Sequence, residues 1–242
     1  MQLLLQSLLD DVPPLAVQEV IIGVFSTLVL TAAGAGLAST VRPATPHQRI
    51  PQSGSLEELK LYDLAKLVIS DNWLAASVGM AAINSTFTVH DARYCHRNGA
   101  DLLFEKGTGK ILGVVGHFPF LERLKERFKE IIVFEKEPRP GDYREEDIPR
   151  LLPRCEIVAL SGTTLINHSL AGILKWITPG AYTIMLGPST PLSTRLFEAG
   201  FDALAGAVIS DYHNVRHQVI QATPNRFLEG VRQVTLLREN CK

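Results

Sequence analysis

Cysteine is scarce in this chain and never paired in sequence. Cys95, Cys155 and Cys241 are the only three among 242 residues, widely spaced and without a C-x-x-C, which leaves neither a disulfide framework nor a zinc knuckle. A surplus of charge is missing too. With a net charge of -1 and a pI near 6.7, nothing supplies the basic face of a nucleic-acid binder or a polybasic membrane anchor. No Lys or Arg lies between Met1 and Asp11, and Asp10-Asp11 and Pro13-Pro14 follow, so the segment does not have the form of a signal peptide. Internal repeats and low-complexity tracts are absent as well. What is present in quantity is apolar residue, 46% of the chain, enough for a large core in one domain or two. A reducing, cytoplasmic setting is expected.

The segment between Glu19 and Arg42 carries no charge and is long enough to span a bilayer. Its β-branched residues, and the breaks at Gly23, Ser26, Thr27, Thr31, Gly34, Gly36, Ser39 and Thr40, argue instead for short strands of a sheet. Val17 to Ile22 and Leu28 to Thr31 read as a hairpin, with Gly36 to Val41 a third strand. Leu3 to Leu9 precedes them as a helix, and Pro43 to Ser55 follows as a loop. Ser55 and Glu58 have capping-box spacing for a helix over Leu59 to Val68, and Trp73 to Ile83 is a second helix ending near Asn84. Strands followed by helices make an α+β module over residues 1–95.

Past a linker over Asp91 to Gly109 the pattern changes. Ile111 to Val115, Ile131 to Phe134, Ile157 to Leu160, Tyr182 to Leu186 and Ala203 to Val208 are five apolar runs, most of them separated by helical patterns. Leu121 to Lys129 and Leu165 to Trp176 are the plainest of those helices, and a short one is expected around Asp147. Alternation of this kind predicts a parallel sheet with right-handed crossovers over residues 110–242.

Three strand ends carry residues suited to a ligand. Gly116-His117-Phe118 follows the first strand, where glycine lets backbone approach a bound group. Ser161-Gly162-Thr163-Thr164, running on to Asn167, follows the third. Gly187-Pro188-Ser189-Thr190 follows the fourth, stiffened by Pro188 and Pro191. The hydroxyls either cap helices or bind an anion or carbonyl. Glu135, at the end of the second strand and about 20 residues past Gly116, is where a dinucleotide site holds a ribose hydroxyl, but a full G-x-G-x-x-G is missing. Lys106 to Lys110 is no phosphate loop, since Phe104 and Ile111 occupy its obligatory positions. No G-x-S-x-G surrounds Ser189, which argues against a nucleophile there. His213 and His217 lie four apart on a predicted helix, and His90, Asp91, Cys95 and His96 crowd the linker; neither group has a third ligand at a fixed offset.

Gly116-His117-Phe118-Pro119-Phe120, Phe134-Glu135-Lys136, Gly162-Thr163-Thr164-Leu165-Ile166-Asn167 and Gly187-Pro188-Ser189-Thr190-Pro191-Leu192, in this order, resemble the heavy-metal chelation domain family of prokaryotes. Gly36-Leu37-Ala38 and Ala82-Ile83-Asn84 extend the likeness through the first module. Ser85 after Asn84, and His168-Ser169 after Asn167, depart from the usual pattern. The resemblance implies an α/β architecture, an enolase-N-terminal-like domain followed by a Rossmann-like one. It also implies a ligand pocket where the two meet, lined by these turns and closed by Asn84. The expected occupant is a small polar or anionic ligand, a heavy-metal ion or its chelate. The alternative is an enzyme using NAD or S-adenosylmethionine in the same cleft. A homodimer is compatible with either.

Overall fold

The computed structural model describes residues 1–42, 48–95 and 97–241. Helix α1 (Gln2–Asp10) places Leu5, Leu8 and Leu9 on one buried face. Strands β1 (Val17–Ile22), β2 (Ser26–Thr31) and β3 (Ala35–Ser39) then pair antiparallel in chain order. The uncharged run is thus cut into strands, and no helix among the described residues is long and apolar enough to cross a membrane. Helix α2 (Leu61–Ala65) precedes α3 (Trp73–Asn84), which lies against β2 and β3. The approach is close: a Cβ on Gly36 would stand 2.1 Å from the Ala81 carbonyl oxygen and the Ser85 nitrogen.

The expected helix over Leu59 to Val68 is shorter than its pattern. Lys60 is extended and bridges Ala16, so the helix starts only at Leu61. Ser55 does not cap it; its hydroxyl donates to the Gln52 carbonyl. The real cap nearby is Asn72, whose side chain accepts from the N–H groups of Leu74 and Ala75 at the start of α3. Part of the expected Pro43 to Ser55 loop, and His96, lie outside the described residues.

The linker expected over Asp91 to Gly109 is structured. β4 (Tyr94–Cys95) joins the larger sheet, and α4 (Gly99–Lys106) packs on it, started by Asn98 accepting from the Asp101 N–H. Alternating elements follow: β5 (Ile111–Val115), α5 (Leu121–Leu124), β6 (Glu130–Phe134), α6 (Ile148–Leu151), β7 (Ile157–Ser161), α7 (Thr163–Ile166), α8 (Leu170–Leu174), β8 (Tyr182–Leu186), α9 (Arg195–Glu198) and β9 (Ala203–Ile209). The chain then adds α10 (Tyr212–Ile220) and β10 (Val231–Leu237). Strand order is β4-β10-β9-β8-β7-β5-β6. The five expected strands are parallel, while β10 and β4 are antiparallel additions that the expected all-parallel sheet lacks.

Two expected helices are interrupted. Leu165 to Trp176 is split into α7 and α8 at His168, which takes φ 60° and contacts the Val68 carbonyl through Nε2 at 2.9 Å. The helix from Leu121 stops at Leu124, because Phe128 turns inward against Gly107 and Lys129 donates to the Lys110 carbonyl.

Side chains of the larger sheet alternate between two apolar layers. Leu112, Val114, Ile157, Ala159 and Ile184 face α4 and α5. Ile132, Phe134, Val158, Leu160, Met185 and Leu204 share the opposite core with α1, α3 and the helices between. That second core is continuous through both sheets.

Candidate functional site

In open α/β sheets, ligands sit beyond the carboxyl ends of the strands where the strand order reverses. Here β6 lies on one side of β5 and β7 on the other, so the reversal falls between β5 and β7. Their ends carry Gly116 and Ser161. Gly116 and, at the end of β8, Gly187 both take φ 103°, a left-handed conformation that glycine adopts without strain. A side chain on Gly116 would press on Ser161, whose Cβ is 3.0 Å from the position of the missing Cβ.

Beyond these ends lies a cavity of about 570 Å³, walled by β3 of the first module, the start of α4, the turns after β5, β7 and β8, and the facing parts of β9 and β10. Its volume is that of a small-molecule site. An adjoining recess of about 60 Å³ shares Gly116, Glu135, Ser161 and Thr163 with it.

Of the residues singled out from the sequence, Gly116, His117, Phe118, Glu135, Ser161, Thr163, Gly187 and Pro188 line this cavity. His117 is exposed at the rim, with the Arg139 guanidinium 3.1 Å from its ring nitrogens. Phe118 stacks on Phe120 with ring centroids 5.3 Å apart. Glu135 is half-buried at the end of β6 and accepts the Lys136 N–H at 3.0 Å. The Ser161 and Thr163 hydroxyls are 2.8 Å apart. Two hydroxyls carry two hydrogens, and one bond between them leaves the other hydrogen for a ligand acceptor.

Thr164 and Asn167 line only the smaller recess, and the Thr164 hydroxyl and Asn167 Oδ1 are engaged locally. Thr164 donates to the Ser161 carbonyl at 2.7 Å, and Asn167 Oδ1 accepts from Ser169 at 2.7 Å and 3.1 Å.

Four residues are turned into the protein. Asn84 donates to the carbonyls of Leu37 and Pro188 at 2.8 and 3.1 Å, and Ser189 Oγ accepts the Ser39 N–H at 2.8 Å. Thr190 is buried, and Gly162 packs where a Cβ would meet the Ser189–Thr190 peptide at 2.6 Å. They join the first module to the turns that bear the cavity and do not themselves line it, though the Asn84 Oδ1 and Thr190 Oγ1 atoms are buried without a hydrogen-bond partner.

Asn98, Gly99, Ala100, Asn225, Arg226 and Gln233 also line the cavity, and sequence reasoning missed them. The Asn98-x-x-Asp101 cap was a usable signal for the first three. The others depend on β10, whose place beside β9 no local pattern announces.

Among the described residues, no three His, Cys, Asp or Glu side chains gather as a metal site. His213 and His217 are exposed on α10 without a third donor. Asp91 is bonded to Arg93, which also holds its carboxyl below the usual range. Among the described residues, the cavity and its recess hold His117, Glu135 and Glu145 as ligand types, but the three do not gather on one point and a guanidinium already occupies the imidazole edge. These residues do not fit a resident ion held by protein donors.

Two family models with one description, "Putative heavy-metal chelation", match the chain, over residues 5–87 and residues 98–238. The chain belongs to this family. Among solved structures, a heavy-metal chelation family relative from Desulfitobacterium hafniense, of unknown function, is 26% identical with a TM-score of 0.89 over 98% of both chains. A second, from Pyrococcus horikoshii and also of unknown function, shares the fold at 20% identity and a TM-score of 0.80, over 97% of this chain and 98% of that one. An uncharacterised protein of Methanocaldococcus jannaschii is 30% identical over 142 residues, which is 56% of this chain and 55% of the relative. The chain therefore aligns with about half the length of that curated relative.

Proposed function

We propose that the cavity beyond β5, β7 and β8 binds a small polar organic ligand, a metal-binding metabolite or its metal chelate, in a cytoplasmic setting. The observation that carries this reading is the convergence of glycine turns and polar side chains on one cavity of about 570 Å³ at the strand-order reversal. Membership of a family described by chelation, together with the lack of a three-donor cluster among the described residues, favours metal arriving as cargo inside an organic molecule. A thermal-shift screen tests it: metal chelates should raise the melting temperature where the bare ions do not, because a ligand at 100 times its Kd stabilises by about 2.7 kcal/mol. Equal shifts from chelates and bare ions, or none from either, would overturn it.

One observation favours a second reading. Glu135 ends the strand next to β5, 19 residues past Gly116 in the sequence, the place of the acid that holds a ribose in nucleotide-binding sheets. An enzyme with NAD or S-adenosylmethionine in this cavity would show stabilisation by those molecules in the same screen.

A further inference from the structure

The recess and the main cavity offer opposite chemistry. The recess is lined by Glu135, Glu145, Ser161, Thr163, Thr164 and Asn167, and its two carboxylates give it an acidic character, with one hydrogen of the Ser161–Thr163 pair and the Asn167 amide as donors beside them. Ionised carboxylates only accept, and Thr164 has already given its hydrogen to the Ser161 carbonyl. Lys136 also borders the recess, but its ammonium lies over the Trp73 ring, 4.7 Å from the centroid. Among the described residues neither Glu135 nor Glu145 has an ion-pair partner. A volume of about 60 Å³ admits an amine but not the body of a ligand.

The main cavity carries Arg226, whose guanidinium rests on its neighbour Phe227 at 4.5 Å. A second guanidinium, Arg139, stands on the rim against the imidazole of His117. Neither is paired with a carboxylate among the described residues. Guanidinium groups present a planar fork of donors that matches a carboxylate.

We infer that the site is built for an aminocarboxylate: one molecule whose protonated amine enters the recess at Glu135 while its carboxylates face Arg226 and Arg139. This rests on the cavity being the ligand site and adds the chemical class of the ligand. The class is apt for the family, since nitrogen and carboxylate oxygens on one small molecule together grip a metal ion.

Calorimetric titration of the whole chain at neutral pH, without metal, tests the inference with three probes. Aspartate carries a terminal primary amine with two carboxylates, succinate matches its carboxylates without the amine, and ethylenediamine has amines alone. Aspartate should bind at least about tenfold tighter than either control, since a charged hydrogen bond contributes about 1.5–3 kcal/mol. Glu135→Gln, which keeps the shape of the side chain, should weaken aspartate by about tenfold or more and leave succinate unchanged. Arg226→Gln should weaken both. Succinate binding as tightly as aspartate, no aspartate binding, or aspartate binding indifferent to Glu135→Gln would each overturn the inference. Failure of the underlying cavity reading looks different: binding of any probe or metal chelate would survive Ala207→Phe, which fills the cavity.

Discussion

The Ser39 N–H has its partner in another module, the hydroxyl of Ser189. Ser189→Ala leaves that half-buried donor without its acceptor, and chemical denaturation should show a loss of about 1 kcal/mol. Asn84→Ala removes two bonds to carbonyls, one at Leu37 within the first module and one at Pro188 across the same join, and should cost more, about 2–4 kcal/mol. Cys155 illustrates burial of another kind. Loss of water pushes its thiol up to about 11, so in the native state it should resist iodoacetamide at pH 8 and become alkylated only after unfolding, as mass spectrometry of the labelled peptide would register. At this scale the sequence was legible in kind more than in direction. Glycine, hydroxyl and amide residues mark strand ends and a helix end because such turns need them. Whether a given hydroxyl faces a cavity or a neighbouring module is decided by residues far away in the chain, as β3 decides for Ser189.

Elements differ in how much room their contacts leave. β3 meets α3 backbone to backbone at Gly36, so Gly36→Ala should lower stability by about 3 kcal/mol or more, read from the denaturation midpoint. Gly172, inside α8, has open space where a side chain would go. Gly172→Ala should therefore raise stability by up to about 1 kcal/mol in the same assay, through helix propensity alone. The parallel strands were readable because each is a short apolar run, most of them rich in β-branched residues and largely buried. α4 was hidden by an opening of Asn98-Gly99-Ala100 with little apolar content, although Leu102 and Leu103 bury completely against the sheet. β10 was hidden because its first half is half-exposed or exposed and only Val234 to Leu237 are buried. The helices at α5 and α7 were overestimated because periodicity cannot register the tertiary pulls on Phe128 and His168 that end them.

At the scale of the whole molecule, two ion pairs fasten the modules from outside the apolar join. Arg195 holds Asp11, and Arg216 together with Tyr212 holds Glu19. The guanidinium beside each carboxylate keeps it below the usual carboxylate range. A carboxyl with a depressed folded value stabilises above its unfolded pKa and loses that contribution as pH falls through the folded one. The stabilisation from these pairs should therefore be fully present near neutrality and decline below about pH 4. Glu19→Gln should flatten part of that decline in a melting series, at a cost near pH 7 of no more than about 1 kcal/mol because the pair is partly solvated.

β4 hydrogen-bonds to β10, and β10 to β9. The passage between the modules is thus tied down by a segment synthesised about 140 residues later. A nascent chain can assemble the three-stranded sheet early, but it cannot fix β4 or the part of the cavity wall that β10 supplies until Val231 to Leu237 have left the ribosome. Native geometry around the ligand arrives after translation has passed this strand, and a chain stalled short of it would present the open flank of β9 to chaperones.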